Sequence, residues 1–407
     1  MKKINFLLSI AASLAFCATV CAGTIKDKTF IDKSYTGVRT IRIDQNVLEV
    51  EITETSGNKT AVKCHVEEMT VEPGDYRIVA HQNGDVLEIR GEFPSLGKSR
   101  HYGYSFRGKN KGYLRLAVPS GVKVISVRNS SGAISVSGLS ALDSLKTASV
   151  SGAVRVQDVS SAEMSLRSSS GSVAAERISG KTLKASCVSG SVRLGGVKFQ
   201  TLDATSSSGL VAVSQAPDLR TANIKSVSGN VNVTSLSASE ELSVRTSSGT
   251  VRLSSCKAGG QYTVSSVSGD LSLTEATGET LSLRTSSGNI SIEQAKVRNL
   301  DVASVSGDAR VRAPEVVSSV MRTSSGDLTL YFGSAIKNID LKSVSGDMRL
   351  YLKNDLKNNA YRINGVSGSI SIQGLARAER SLQLTPDKAL TEIAATTSSG
   401  DVYIDRW

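Results

Sequence analysis

The stretch Leu242-Ser243-Val244-Arg245-Thr246-Ser247-Ser248-Gly249-Thr250-Val251-Arg252-Leu253 decides the fold. Leu242 and Val244, then Val251 and Leu253, alternate with polar side chains. That period of two marks a half-buried strand on each side of Ser248-Gly249. The glycine supplies either a positive φ or room for close backbone approach at the turn. Residues 223–233, 281–292 and 341–350 repeat the pattern. No 3.6-residue periodicity lasts long enough for a helix, and glycine and serine recur too often.

Working outward, Ser-Gly recurs with glycines at 132, 152, 171, 190, 209, 229, 249, 269, 288, 307, 326 and 346, always 19 or 20 residues apart. Two more copies end at Gly368 and Gly400, after insertions at 353–360 and 376–390. Asn or Asp often follows the glycine, as at Asn230, Asp270, Asn289, Asp308, Asp327, Asp347 and Asp401. Their short side chains can accept from nearby backbone amides at a turn. A β unit this short cannot bury an apolar face alone. It does so by stacking on its neighbours, which makes a parallel β-solenoid, or β-helix, with ladders of like residues.

The residue before Ser-Gly alternates strictly: Ser130, Val150, Ser169, Val188 and so on to Val344. Either the coil is about 20 residues with Ser and Val alternating up one ladder, or it is a double repeat of about 39 with two unlike corners. The long coil would stack Arg245, Arg284 and Arg322 on adjacent coils, where like charges repel. The short coil keeps them two coils apart and is the preferred reading. About fourteen short coils make a rod of roughly 65 Å, and seven long coils one of roughly 35 Å.

Composition agrees with a thin layered core: 39% of residues are hydrophobic but only 4% aromatic, with 35 glycines, 6 prolines and one Trp. Residues 1–22 read as a signal peptide. Lys2 and Lys3 precede an apolar run, and Val20-Cys21-Ala22 offers small residues for cleavage. The expected location is therefore exported: periplasm, cell surface or extracellular. Lipid attachment at Cys17 or Cys21 is disfavoured by the poor preceding residues Phe16 and Val20. No later stretch is apolar enough to span a bilayer. Cleavage leaves Cys64, Cys187 and Cys256, whose number and spacing give neither a disulfide framework nor a zinc site, so free buried thiols are expected. His65, His81 and His101 are widely spaced and read as surface or edge residues.

The domain reading is a β-rich N-terminal cap at 23–118, a regular solenoid at 119–352, and irregular C-terminal repeats with a cap at 353–407. The cap's strands alternate, as in Thr40-Ile41-Arg42-Ile43, and residues 97–111 read as a basic loop. The segment Leu114 to Gly121, with Val118-Pro119, followed by Val-Ser-Gly-Asp units and closed by Thr397-Ser398-Ser399-Gly400-Asp401-Val402-Tyr403-Ile404, resembles the bacterial putative-adhesin family of domains of unknown function. The resemblance implies a parallel β-solenoid over about residues 40–407 and brings no catalytic residues.

A polysaccharide-processing enzyme would need clustered carboxylates. Asp270, Asp308, Asp327 and Asp347 recur at one repeat position, as turn residues do, and Tyr262, Tyr331 and Tyr351 read as isolated. Stacked Gly-Asp turns could bind calcium, but only some turns are acidic and net charge is +11. There is no serine nucleophile elbow and no phosphate loop. No catalytic, cofactor-binding or metal-ligating residue is therefore assigned, and no cofactor is expected. The basic residues are scattered, without the aromatic interleaving of nucleic-acid grooves. The partner is left unknown, a glycan or cell-surface protein being favoured over nucleic acid. The expected function is a non-enzymatic, adhesin-like envelope or surface protein. The alternatives are a glycan-processing enzyme and a purely structural assembly component. The three insertions, at 97–111, 353–360 and 376–390, are the expected contact surfaces.

Overall fold

A computed structural model describes residues 23–72, 76–92 and 105–407. The signal-peptide reading, Cys17, Cys21 and His101 lie outside these residues. The chain forms a parallel β-solenoid of roughly 20-residue repeats, which settles the coil length. Leu142–Ser149 pairs in parallel with Ser161–Ser168, 19 residues on, and Val154–Gln157 pairs with Val173–Ser179. Each coil thus gives one strand to each of two parallel sheets. Arg245, Arg284 and Arg322 do sit two coils apart, separated in the ladder by Ser265 and Ala303.

The core follows from the alternation. Leu242, Val244, Val251 and Leu253 are all buried, and most coils repeat them with Val, Leu, Ile or Ala, Tyr262, Ser319, Met321 and Met348 being among the exceptions. Each successive coil therefore covers the apolar residues of the one before it.

Chain order and spatial order diverge at both ends. Thr40–Gln45 lies between Val86–Glu92 and Val124–Asn129 in one sheet, and Glu49–Thr55 lies between Ser105–Pro119 and Ile134–Ser137 in the other. Likewise Thr391–Ser399 lies between Asn338–Lys342 and Asn359–Ser367, and Val402–Arg406 lies between Met348–Leu352 and Ile370–Ile372. The last strands of the chain are thus wedged inside the stack. With these end coils each sheet has more layers than the fourteen expected, and the rod extends to roughly 70 Å.

Antiparallel strands close both ends. Lys59–Glu72 covers Ser105–Pro119 and is itself covered by Gly23–Thr36, while Arg77–Asn83 covers Val86–Glu92. At the other end Ser381–Leu384 and Ala376–Ala378 do the same. Gly23–Thr36 carries Lys26, Asp27, Lys28, Asp32 and Lys33, charges that discourage edge-to-edge pairing.

Three expected loops are corrected. Residues 105–111 are part of Ser105–Pro119, where they pair antiparallel with Lys59–Glu72; residues 97–104 lie outside the described set. Residues 353–360 hold a 3-10 turn, Leu356–Asn358, with Leu356 and Asn359 buried, and 376–384 are the closing strands. The two C-terminal insertions are thus cap more than projection. Among the described residues no helix is long and apolar enough to cross a membrane.

Candidate functional site

The repeated turn comes first, because function has to be told apart from it. A Cβ on Gly249 would lie within 2.5 Å of the Gly229 carbonyl carbon, and the ladder glycines from Gly152 to Gly346 meet the preceding glycine in the same way, while Gly132 meets the Leu48 carbonyl. From Gly132 to Gly326 none of these glycines has a positive φ. The glycine therefore provides close approach between coils. Three residues earlier stands a buried hydroxyl. The Gly249 N–H donates to Thr246 Oγ1 (3.2 Å), and Gly269, Gly288, Gly307 and Gly326 donate likewise to Ser266, Thr285, Ser304 and Thr323. Cys187 occupies this column as a serine equivalent, its Sγ 3.2 Å from Gly171 O.

The acidic ladder is tied into the same frame. Asp327 N donates to Asp308 Oδ1 (2.9 Å), Asp347 N to Asp327 Oδ1 (2.9 Å) and Asp401 N to Asp347 Oδ1 (3.0 Å). These side chains cap the next coil, not their own turn. Arg349 also bridges Asp327 (3.3 Å) and Asp347 (2.8 Å). Asp401 is held below the usual carboxylate range by the Ser369 N–H and hydroxyl, with Arg349 adding to the effect. Among the described residues no three His, Cys, Asp or Glu side chains are grouped to hold a metal ion.

Cys64, Cys187 and Cys256 are free and buried, and burial pushes the Cys64 thiol up to about 12. They are poor nucleophiles. His65 is part-buried on Lys59–Glu72, which is paired on both sides rather than at an edge, and lies 3.5 Å from Asp27.

The regular column breaks at the C-terminal end. The outward position held by Thr274 and Glu293 becomes Arg312, then Tyr331, then Tyr351. Tyr331 and Tyr351 stack with ring centroids 4.7 Å apart and planes 9° apart, which is the rise of one coil. Reading them as isolated was wrong: 20 residues apart in sequence is one step apart in space. Tyr403 meets Tyr351 edge-on at 6.3 Å, and Trp407 meets Tyr331 edge-on at 5.7 Å. Arg312 lies over Tyr331 (4.9 Å) and Lys353 over Trp407 (5.0 Å). Tyr403 Oη donates to Asp405 (2.8 Å), which raises the phenol above the usual tyrosine value. The rings are part-exposed, and Trp407 retains 42% of its surface. Tyr262, by contrast, is wholly buried. The result is an aromatic platform edged by cations, on the outer face of a rigid sheet.

The model of the Toastrack DUF4097 family matches residues 38–254 and 236–405. The chain belongs to the Toastrack DUF4097 family. No curated protein matches it. Among solved structures, this Toastrack chain is similar to a "putative cell adhesion protein" from Clostridium sporogenes, at 9% identity and a TM-score of 0.15, covering 94% of this chain and 100% of that one. It is also similar to a "putative lipid binding protein" from Parabacteroides distasonis, at 14% identity and a TM-score of 0.22, covering 79% and 97%. At those scores neither likeness carries an argument about the Toastrack chain's function.

Proposed function

We propose that this protein is an exported, non-enzymatic β-solenoid that binds glycan through the platform of Tyr331, Tyr351, Tyr403 and Trp407. The observation that carries the reading is the stacked, part-exposed tyrosine pair, set where the repeat stops being uniform. Aromatic faces pack against the C–H faces of sugar rings, and amphipathic rings suit a surface that is apolar at one end and wet at the other. Arg312 and Lys353 at the rim favour a glycan that carries acidic groups. A non-enzymatic role is supported by the acidic ladder, whose carboxylates are engaged by backbone amides and Arg349. Export is supported by the basic and apolar residues of 1–22.

The test is a glycan array probed with purified 23–407, alongside Tyr351→Ala, Tyr351→Phe and Asp308→Ala. At least one hit should weaken tenfold or more in Tyr351→Ala and persist in Tyr351→Phe, which keeps the ring. An array without hits, or one in which every hit is indifferent to Tyr351→Ala, sinks the reading. Turnover of any hit, lost in Asp308→Ala, would replace it with an enzyme.

A further inference from the structure

The corner that carries the Ser/Val alternation has a second property. Val150, Val188, Val227, Val267, Val305 and Val344 are each 52–56% exposed, and they alternate with serine up one edge of the rod. Two residues before that edge runs a parallel column: Arg128, Ala148, Arg167, Ser186, Thr205, Lys225, Arg245 and Ser265. Between the two columns lie hollows of about 520 Å³ and 480 Å³, which share Cys187 as a lining residue and so run end to end. Their floor is the buried column of Gln45, Asn129, Cys187 and the intervening serine and threonine hydroxyls. Seven coil steps give this trough a length of roughly 34 Å.

Its charge is one-sided. Arg128, Arg167, Lys225 and Arg245 have no ion-pair partner among the described residues, and Asp44 at one end is the only acid lining it. Farther along the column Arg284 and Arg322 are both taken by Asp301, at 2.8 and 3.5 Å. The unpaired cations therefore coincide with the hollows. Two residues before this column, on the same outward face, stand Lys146 and Lys184, the latter paired across the ladder with Asp203. Small residues at Ala148 and Ser186 let a chain approach between the arginines, and the valines offer it an apolar lip.

We propose that this trough binds a linear anionic polysaccharide lying along the rod axis. An extended sugar residue advances by about one coil, so successive sugars meet successive coils. No aromatic side chain lines the trough, as base stacking on single-stranded nucleic acid would require. A concave, largely polar floor, with valine as the bulkiest apolar group, is unlike the broad apolar face that enters a lipid surface. The trough is separate from the aromatic platform and does not depend on it.

The experiment is calorimetric titration of purified 23–407 with polygalacturonate, dextran, oligo-dT and phosphatidylglycerol vesicles at low and moderate salt. Polygalacturonate should bind, more weakly as salt rises, and dextran should not. Arg128→Gln/Arg167→Gln should cost at least tenfold, and Ala148→Asp, which places a carboxylate in the trough, should abolish binding. Arg252→Gln, on the other sheet, should change it less than twofold. Tyr351→Ala, which tests the platform, should leave the trough's contribution in place. Polygalacturonate binding that ignores the trough variants, equal binding of dextran, or tighter binding of oligo-dT or vesicles would overturn the proposal.

Discussion

Gly249→Ala tests the inter-coil contact on which the rod depends. The new Cβ would sit 2.5 Å from the Gly229 carbonyl carbon. Non-bonded carbons rest at about 3.5–4.0 Å, so the coils must part by about 1 Å. At this corner Ser248 N and Ser247 N both donate to Val227 O, at 3.0 and 3.1 Å, and an added ångström breaks both bonds. Overpacking costs about 1–3 kcal/mol and each weakened bond about 0.5–1.5, so the expected loss is about 4 kcal/mol. In a stack of nearest-neighbour contacts the loss is local. Native-state hydrogen exchange should therefore show amides of 223–233 and 243–253 exchanging about a thousandfold faster, while 341–350 stay protected. The control is Gly84→Asn, at a φ of 60° with nothing within 4 Å, which should change stability by less than about 0.5 kcal/mol. Exchange in Gly249→Ala within tenfold of wild type would refute the close-approach account of the glycine ladder.

Three further outcomes follow from the same geometry. Thr246→Val keeps the shape but strands the Gly249 N–H, so chemical denaturation should show a loss of about 1–3 kcal/mol, against less than about 0.5 for Thr246→Ser. Ser235→Gly relieves a left-handed residue at φ 55° and should raise the melting temperature by the equivalent of about 0.5–1 kcal/mol; a fall would contradict it. Asp401 has a lowered folded-state pKa, so its stabilisation is complete above the unfolded carboxylate value and fades as pH falls through the folded one. Amides of the outer strand Ile370–Ile372 should then lose protection below about pH 4 before those of the central coils, less steeply in Asp401→Asn.

The coil length, the inward residues and the free cysteines were legible in the sequence because each follows from a repeated spacing. Like-charge repulsion among Arg245, Arg284 and Arg322 pointed to the short coil, in which Ser265 and Ala303 separate them. The second corner was not legible. It stacks Gly138, Asp158, Arg177, Gly196, Gln215, Ser235, Ser255, Glu275 and Gln294, all at positive φ. Only two are glycine, so residue type hides the turn, and ion pairs such as Arg177 with Asp158 (2.6 Å) help to hold it. The wedged terminal strands were hidden too, because each pairs with strands distant in sequence. The tyrosine platform was readable in principle. Tyr331 and Tyr351 share one repeat position on consecutive coils, and applying the 20-residue register to outward residues reveals it.

The chain's single tryptophan, Trp407, lies in the proposed platform, so its emission reports on that surface alone. Titrating purified 23–407 with an array-positive acidic oligosaccharide should give a saturable shift in Trp407 emission. The shift should disappear in Tyr351→Ala while the fold remains intact by circular dichroism. Emission that stays flat while calorimetry records binding would place the glycan elsewhere on the rod and contradict the proposed site.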